Sequence, residues 1–209
     1  MRRFVPAAAI LVMATPVLAG DSLPEFRASF TADAVVEIGG ERVVHKVYHA
    51  AGLERQEMLV DGLPQVTILR PDLDRAFVIQ PGLEDYLELP LDEAALVPGL
   101  HDLQGYEVES LGAAREGGEP AGRYRLTRRG DEQALDLEVW LTEDGIIMRI
   151  EGEMAFEGTP EHVLLIRRSV KRGEQDPALF EPDAALAAMA NGQLLQMPDF
   201  PENLGEGAP

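Results

Sequence analysis

Four histidines, His45, His49, His101 and His162, are the side chains of this sequence whose ordinary pKa suits proton chemistry near neutral pH. His45 and His49 are four residues apart, a spacing that on a helix would present two nitrogens to one metal ion. Here they fall in a segment of alternating character, and two residues four apart on one face of a strand are separated by about 13 Å. They cannot share a tetrahedral ion, so they are expected to be solvent-facing strand histidines, and no metal ligand is assigned. Nucleophilic chemistry is equally unsupported. Cysteine is absent, and Ser22, Ser29, Ser110 and Ser169 all lack the Gly-x-Ser-x-Gly setting of an activated hydroxyl. The acidic pairs Glu84-Asp85, Asp92-Glu93 and Asp131-Glu132 fall in turn-like stretches, where a solvated role is expected rather than acid–base work. Gly39-Gly40 and Gly117-Gly118 lack the strand–loop–helix context of a phosphate loop. The reading is therefore of a protein without catalytic residues and without a cofactor, not an enzyme.

Two features remain. Arg167-Arg168 and Lys171-Arg172 form the one basic cluster, with Glu174 and Asp176 directly after it. Surface pairing with nearby acids is the expected role. Trp140 shares a strand face with Asp136, Glu138 and Thr142, so something should cover it; the C-terminal helix or tail is the expected cover.

The elements that hold these residues are strands. Phe26, Ala28, Phe30, Ala32, Ala34, Val36 and Ile38 alternate with mostly polar neighbours, the period of a long half-buried strand. Gly39-Gly40 turns the chain into a partner at Arg42–Ala50. Further strands are expected at Leu53–Val60, Gln65–Arg70, Arg75–Gln80 and Asp85–Leu89, punctuated by Ala51-Gly52, Asp61-Gly62 and Pro81-Gly82. Asp92–Val97 has the composition of a short helix stopped by Pro98-Gly99. Strands resume at Tyr106–Ala113, Arg123–Arg129, Ala134–Thr142, Ile146–Phe156 and His162–Arg172. Arg115–Pro120 is expected to be an exposed turn. A short helix follows at Asp183–Ala190, with Asp183 as its expected N-cap. The expectation is a mainly β domain: a single curved antiparallel sheet of ten or eleven strands with short helices.

Location is read from the N-terminus. Met1-Arg2-Arg3 is a basic start, Ala7–Met13 an apolar stretch, and Val17-Leu18-Ala19 a small-x-small cleavage pattern. Residues 1–19 therefore read as a signal peptide cleaved after Ala19, too short and too broken by Pro6 and Pro16 to span a membrane. The expected destination is the periplasm. Losing Arg2 and Arg3 takes the formal charge from −19 to −21, which argues against nucleic acid as a partner. No disulfide can form without cysteine, so stability rests on packing. Residues 20–182 read as one domain, 183–197 as a helix and extension. Residues 198–209, rich in Pro, Gly and acids, read as a disordered tail.

The stretches Lys46–Glu57, Val66–Asp72, Ala76–Pro81, Tyr86–Pro90 and Gln175–Pro182, in this order, resemble the LolA/LolB-like superfamily of periplasmic lipoprotein carriers, and more closely an exported family that shares its fold. The resemblance spans roughly residues 26–182. It implies an open half-barrel whose concave apolar face is partly closed by short helices and receives acyl chains. With the alternating pattern, it makes Phe26, Phe30, Val36, Ile68, Phe77, Ile79, Leu137, Val139, Met148, Ile150 and Phe156 the candidate lining for a hydrophobic ligand, an acyl chain or lipoprotein. The alternative is a protein-interaction or envelope-sensor module of the same fold, with an envelope protein as partner and no lipid carriage.

Overall fold

The computed structural model describes residues 23–94, 106–128, 134–156 and 159–191. The segment read as a signal peptide, residues 1–19, His101, the helical turn expected beyond Ala94, and the tail at 198–209 lie outside the described residues.

Alternation in the sequence becomes eleven strands among the described residues: β1 (Phe30–Ile38), β2 (Glu41–Ala50), β3 (Leu53–Val60), β4 (Leu63–Arg70), β5 (Arg75–Ile79), β6 (Leu87–Pro90), β7 (Glu107–Glu116), β8 (Glu119–Arg128), β9 (Leu135–Leu141), β10 (Ile147–Phe156) and β11 (Thr159–Arg172). Two helices, α1 (Leu91–Ala94) and α2 (Pro182–Ala190), complete the fold with single 3₁₀ turns at Pro71–Leu73 and Pro177–Phe180. The strands form one antiparallel sheet in the order β6-β5-β4-β3-β2-β1-β11-β10-β9-β8-β7. It is the open antiparallel sheet expected from the sequence. Two meanders, β1–β6 and β7–β11, are joined along one seam where Val35 lies opposite Ile166 and Val36 opposite Leu165.

Element boundaries shift where turn geometry overrides composition. Phe26 and Ala28 precede β1 rather than belonging to it. Arg115–Pro120 is mostly strand, because Gly117 and Gly118, both at positive φ, make the whole turn between β7 and β8. Asp183 sits inside the first turn of α2. Pro182, with its φ preset for a helix and no N–H to lose, makes the start, so no side chain caps it. Asp176 caps the preceding 3₁₀ turn instead, accepting a hydrogen bond from the Ala178 amide at 3.0 Å.

Register assigns the side chains to two faces. On one, Ala34 lies beside Arg167 and His45, and Val36 beside Leu165 and Val43. In the β8–β10 half this face is a packed apolar core, with Leu126, Leu137, Val139, Leu141 and Val163 buried. Gly152 faces Leu137 there because a Cβ would lie 2.2 Å from the Asp136 carbonyl oxygen. On the opposite face of β4 and β5, Val66, Ile68, Phe77 and Ile79 are covered by Phe180 and Ala185. The helices thus divide: Leu91 of α1 packs on Leu69 and Ala76, on the first face, while α2 lies on the second.

Phe180, 2% exposed, is the main apolar anchor of the C-terminal segment. Phe180→Ala is expected to cost about 3 kcal/mol and to lower Tm by roughly 6–12 °C in a domain of this size, read by thermal denaturation. A shift under about 2 °C, well below that range, would mean the segment is held elsewhere.

Candidate functional site

A cavity of about 220 Å³ opens on the face that carries His45 and Arg167. Its apolar wall includes Phe26, Phe30, Val36, Ile147, Ile150 and Leu165. Its other wall is polar and comes from three strands: His45 and His49 of β2, Glu54 and Gln56 of β3, and Arg167 of β11.

The strand spacing explains how these side chains meet. β11 and β3 are three places apart in the sheet, about 14 Å. Arg167 crosses that gap because the intervening residues on the same face of β1 are Ala32 and Ala34, both buried and too short to stand in its way. Its Nη2 donates to Glu54 Oε2 at 3.0 Å. The guanidinium also lies over the Phe30 ring, 5.6 Å from its centroid, a favourable arrangement for a desolvated cation. Phe30 in turn stacks on His49 at 5.1 Å, and His49 Nδ1 is 2.8 Å from the Ala28 carbonyl oxygen. Gln56 Nε2 donates to Glu54 Oε1 at 2.7 Å, so both carboxylate oxygens are engaged.

Burial sets the protonation states. Loss of water pulls the His45 pKa from 6.5 down to about 4; Glu54 works against this and Arg167 adds to it. Burial also lowers His49, against the pull of Glu54 and the Ala28 carbonyl. For Glu54, burial opposes ionisation, but Arg167 first, then His49, the Gln56 hydrogen bond and His45, outweigh it and hold the carboxyl below its usual range. The site therefore contains one ion pair and two neutral imidazoles at pH 7. Three of its polar atoms, His45 Nδ1, Gln56 Oε1 and Arg167 Nε, have no hydrogen-bond partner among the described residues. Leaving such an atom buried and unmet costs about 1–3 kcal/mol.

These positions revise several expectations. His45 is 1% exposed, not solvent-facing, because the strand face that carries it is the inner one. Arg167 is buried in an ion pair rather than paired at the surface; Arg172 does pair at the surface, with Asp144 and Glu119. An extra residue in β11 between Arg168 and Lys171 is what brings Arg172, not Lys171, opposite Phe30. Trp140 is not covered by α2, and the tail lies outside the described residues. The guanidiniums of Arg123 and Arg149 flank its ring at 5.1 and 5.5 Å from the centroid.

Of the apolar candidates, Phe26, Phe30, Val36 and Ile150 line the cavity. Leu137 and Val139 are on the same face but inside the packed core, and Met148 is buried in a small cluster with Ile146. Ile68, Phe77 and Ile79 lie on the opposite face, beneath Phe180. A strand's alternation marks two faces without saying which is covered. The Phe156 side chain lies outside what the structure describes. The polar wall was missed altogether. The one signal for it was the run of small residues at Ala32 and Ala34, opposite long polar ones.

On the other face, Arg55 donates to Glu57 Oε1 at 2.8 Å and to the Leu179 carbonyl at 3.2 Å, pinning the 3₁₀ turn onto β3. Burial, with the nearby Glu57, pushes the Tyr48 hydroxyl up to about 12.

No family model and no curated protein matches the sequence. Among solved structures, the chain is similar to one in the Pseudomonas aeruginosa MucA/MucB complex, at 21% identity over 75% of this chain and 56% of that one, with a TM-score of 0.45. An uncharacterized conserved protein of Thermus thermophilus is 16% identical over 73% of this chain and 83% of that one, with a TM-score of 0.46. A putative outer membrane lipoprotein-sorting protein domain of Vibrio parahaemolyticus is 10% identical over 73% and 89%, with a TM-score of 0.25. The chain thus spans just over half the length of the Pseudomonas chain it matches. No helix among the described residues is long and apolar enough to cross a membrane.

Two outcomes follow from the ion pair and the imidazole. Arg167→Met strands a buried carboxylate and should cost about 3–5 kcal/mol. Glu54→Gln in the same chain should offset part of that loss, whereas strictly additive losses in denaturant titrations would mean that the two are uncoupled. Because the His45 pKa is depressed, the unfolded chain takes up a proton that the folded chain refuses between pH 6.5 and about 4. Stability contributed by neutral His45 is full above pH 6.5 and falls with pH through that window. The loss is on the order of 3 kcal/mol at about 1.4 kcal/mol per pKa unit. His45→Gln should flatten the pH–stability curve there; an unchanged slope would assign it to other groups.

Proposed function

We propose that this chain is an exported, non-enzymatic binding protein of the periplasm that holds an apolar chain, such as an acyl chain, in the cavity of its sheet. The observation that carries this reading is the cavity itself. Over β8 and β9 the same face closes into a packed core, and at the edge of that core Val36 of β1, Ile150 of β10 and Leu165 of β11 form, with Phe30, the apolar wall of the cavity. A pocket with an apolar wall and a few convergent polar groups is the usual form of a small-molecule site. Export is supported by the basic, apolar, small-residue order of residues 1–19.

A second reading, contact with an envelope protein, is favoured by one observation. Leu59, Val60 and Leu63 are exposed together at the β3–β4 turn, an apolar tip that no described element covers.

The test is native mass spectrometry of protein isolated from exported fractions without detergent. Wild type is expected to carry an apolar adduct, and to take one up again from lipid vesicles after delipidation. Ala28→Trp, which places a large ring at the cavity mouth, should reduce uptake at least tenfold with little change in Tm. Absence of both adduct and uptake would sink the reading. A partner captured by delipidated protein and lost on Leu63→Asp would favour the second.

A further inference from the structure

The orphaned polar atoms of the cavity have a pattern, and the pattern is specific about chemistry. Arg167 Nε carries a hydrogen and can only donate; Gln56 Oε1 is a carbonyl oxygen and can only accept, the amide being held in this orientation by the Nε2–H bond to Glu54. His45 Nδ1 takes either role according to tautomer. The three residues are 7%, 4% and 1% exposed and come from β11, β3 and β2, yet all line the same 220 Å³ cavity, with the three atoms buried in its wall. The charges present already cancel: Arg167 is paired with Glu54, and both imidazoles are held neutral by burial. A charged head group entering this wall would be buried without a counter-ion.

We infer that the polar wall of the cavity is a head-group site for an uncharged group that both donates and accepts hydrogen bonds, a carboxamide or hydroxyl, at the end of an apolar chain. The inference rests on the binding-protein reading and adds the ligand's class. A carboxamide oxygen accepts from Arg167 Nε while its N–H donates to Gln56 Oε1; a hydroxyl does both with one oxygen. The tail then runs along Phe30, Ile150 and Leu165 toward the mouth at Phe26. A carboxylate satisfies Arg167 but offers no hydrogen to Gln56 and adds a charge beside Glu54. An alkane satisfies none of the three atoms.

The experiment uses the delipidated chain at pH 7.5 and displacement of Nile red by decanamide, 1-decanol, decanoate and methyl decanoate, all of similar tail length. Decanamide and decanol are expected to compete at concentrations at least tenfold lower than decanoate, with methyl decanoate, which accepts but does not donate, in between. Gln56→Met removes the acceptor at nearly constant length and should bring decanamide to within threefold of methyl decanoate, both read as ratios to that variant's own Nile red affinity. Decanoate competing as well as decanamide would overturn the inference in favour of an anion site. Equal potency of all four would overturn it in favour of a purely apolar cavity, leaving the binding-protein reading intact. If Nile red itself fails to bind, that reading fails and the head-group site with it. The wild-type series decides the matter even where Gln56→Met does not fold.

Discussion

The Glu54–Arg167 ion pair is the interaction around which the described structure is organised. Locally paired hairpins build each meander, but β1–β6 and β7–β11 are separate runs of chain, and among the described strands they pair along the β1–β11 seam. Arg167 reaches from β11 across two intervening strands to β3, so it ties the second meander to the middle of the first. Such a bridge has consequences on both sides. It requires Ala32 and Ala34 to stay small, because any longer side chain on that face of β1 would occupy the path of the guanidinium. It also keeps polar side chains beside it, Gln56, His45 and His49, because a buried ion pair must keep polar neighbours. The polar wall of the cavity is therefore built around one long side chain that crosses two short ones.

The remainder of the molecule shows what happens without that constraint. In β8–β10 the same face carries Leu126, Leu137, Val139 and Leu141, with Gly152 admitting the β9 backbone, and the space fills. On the opposite face of β3–β5 the apolar side chains would be open to water, and the chain's own C-terminus closes them, held by Phe180 and by the Arg55 hydrogen bond to Leu179. The outer surface of β8–β10 is polar and organised as cross-strand or neighbouring ion pairs, Arg123–Glu138, Arg125–Asp136 and Arg149–Glu151. Exposed pairs of this kind contribute little stability each, but they set the arginines of a strongly acidic chain against its more numerous acids and leave the negative excess facing solvent.

Much of the fold was legible in the residues. Strict alternation in Leu135, Leu137, Val139 and Leu141, and glycine-bearing turns such as Asp61-Gly62, report local preferences that the tertiary structure had no reason to override. Less of the site was legible, for a definite reason. Alternation sorts side chains onto two faces and is silent about which face of which segment will be covered, and by what. Phe30 and Ile150 were placed on an apolar face and line the cavity, but Ile68, Phe77 and Ile79 were placed there by the same logic and lie beneath α2. His45 reads as a surface histidine because, with no metal pair possible on a strand, solvent is the ordinary place for a strand histidine. Its neighbours in space are Ala34, Glu54 and Arg167.

What the sequence by itself determined is therefore what depends on contacts between near neighbours: strand content, most hairpins, and the turns that glycine makes cheap. What only the tertiary structure decided depends on pairing between residues far apart in the chain. The β1–β11 seam brings Arg167 to Glu54 across a separation of 113 residues. The extra residue in β11 re-aims Arg172, and the return of the C-terminus covers one face so that the other is left to hold the cavity. No local pattern encodes these, because each is a choice among surfaces that exist only after the strands have been assembled.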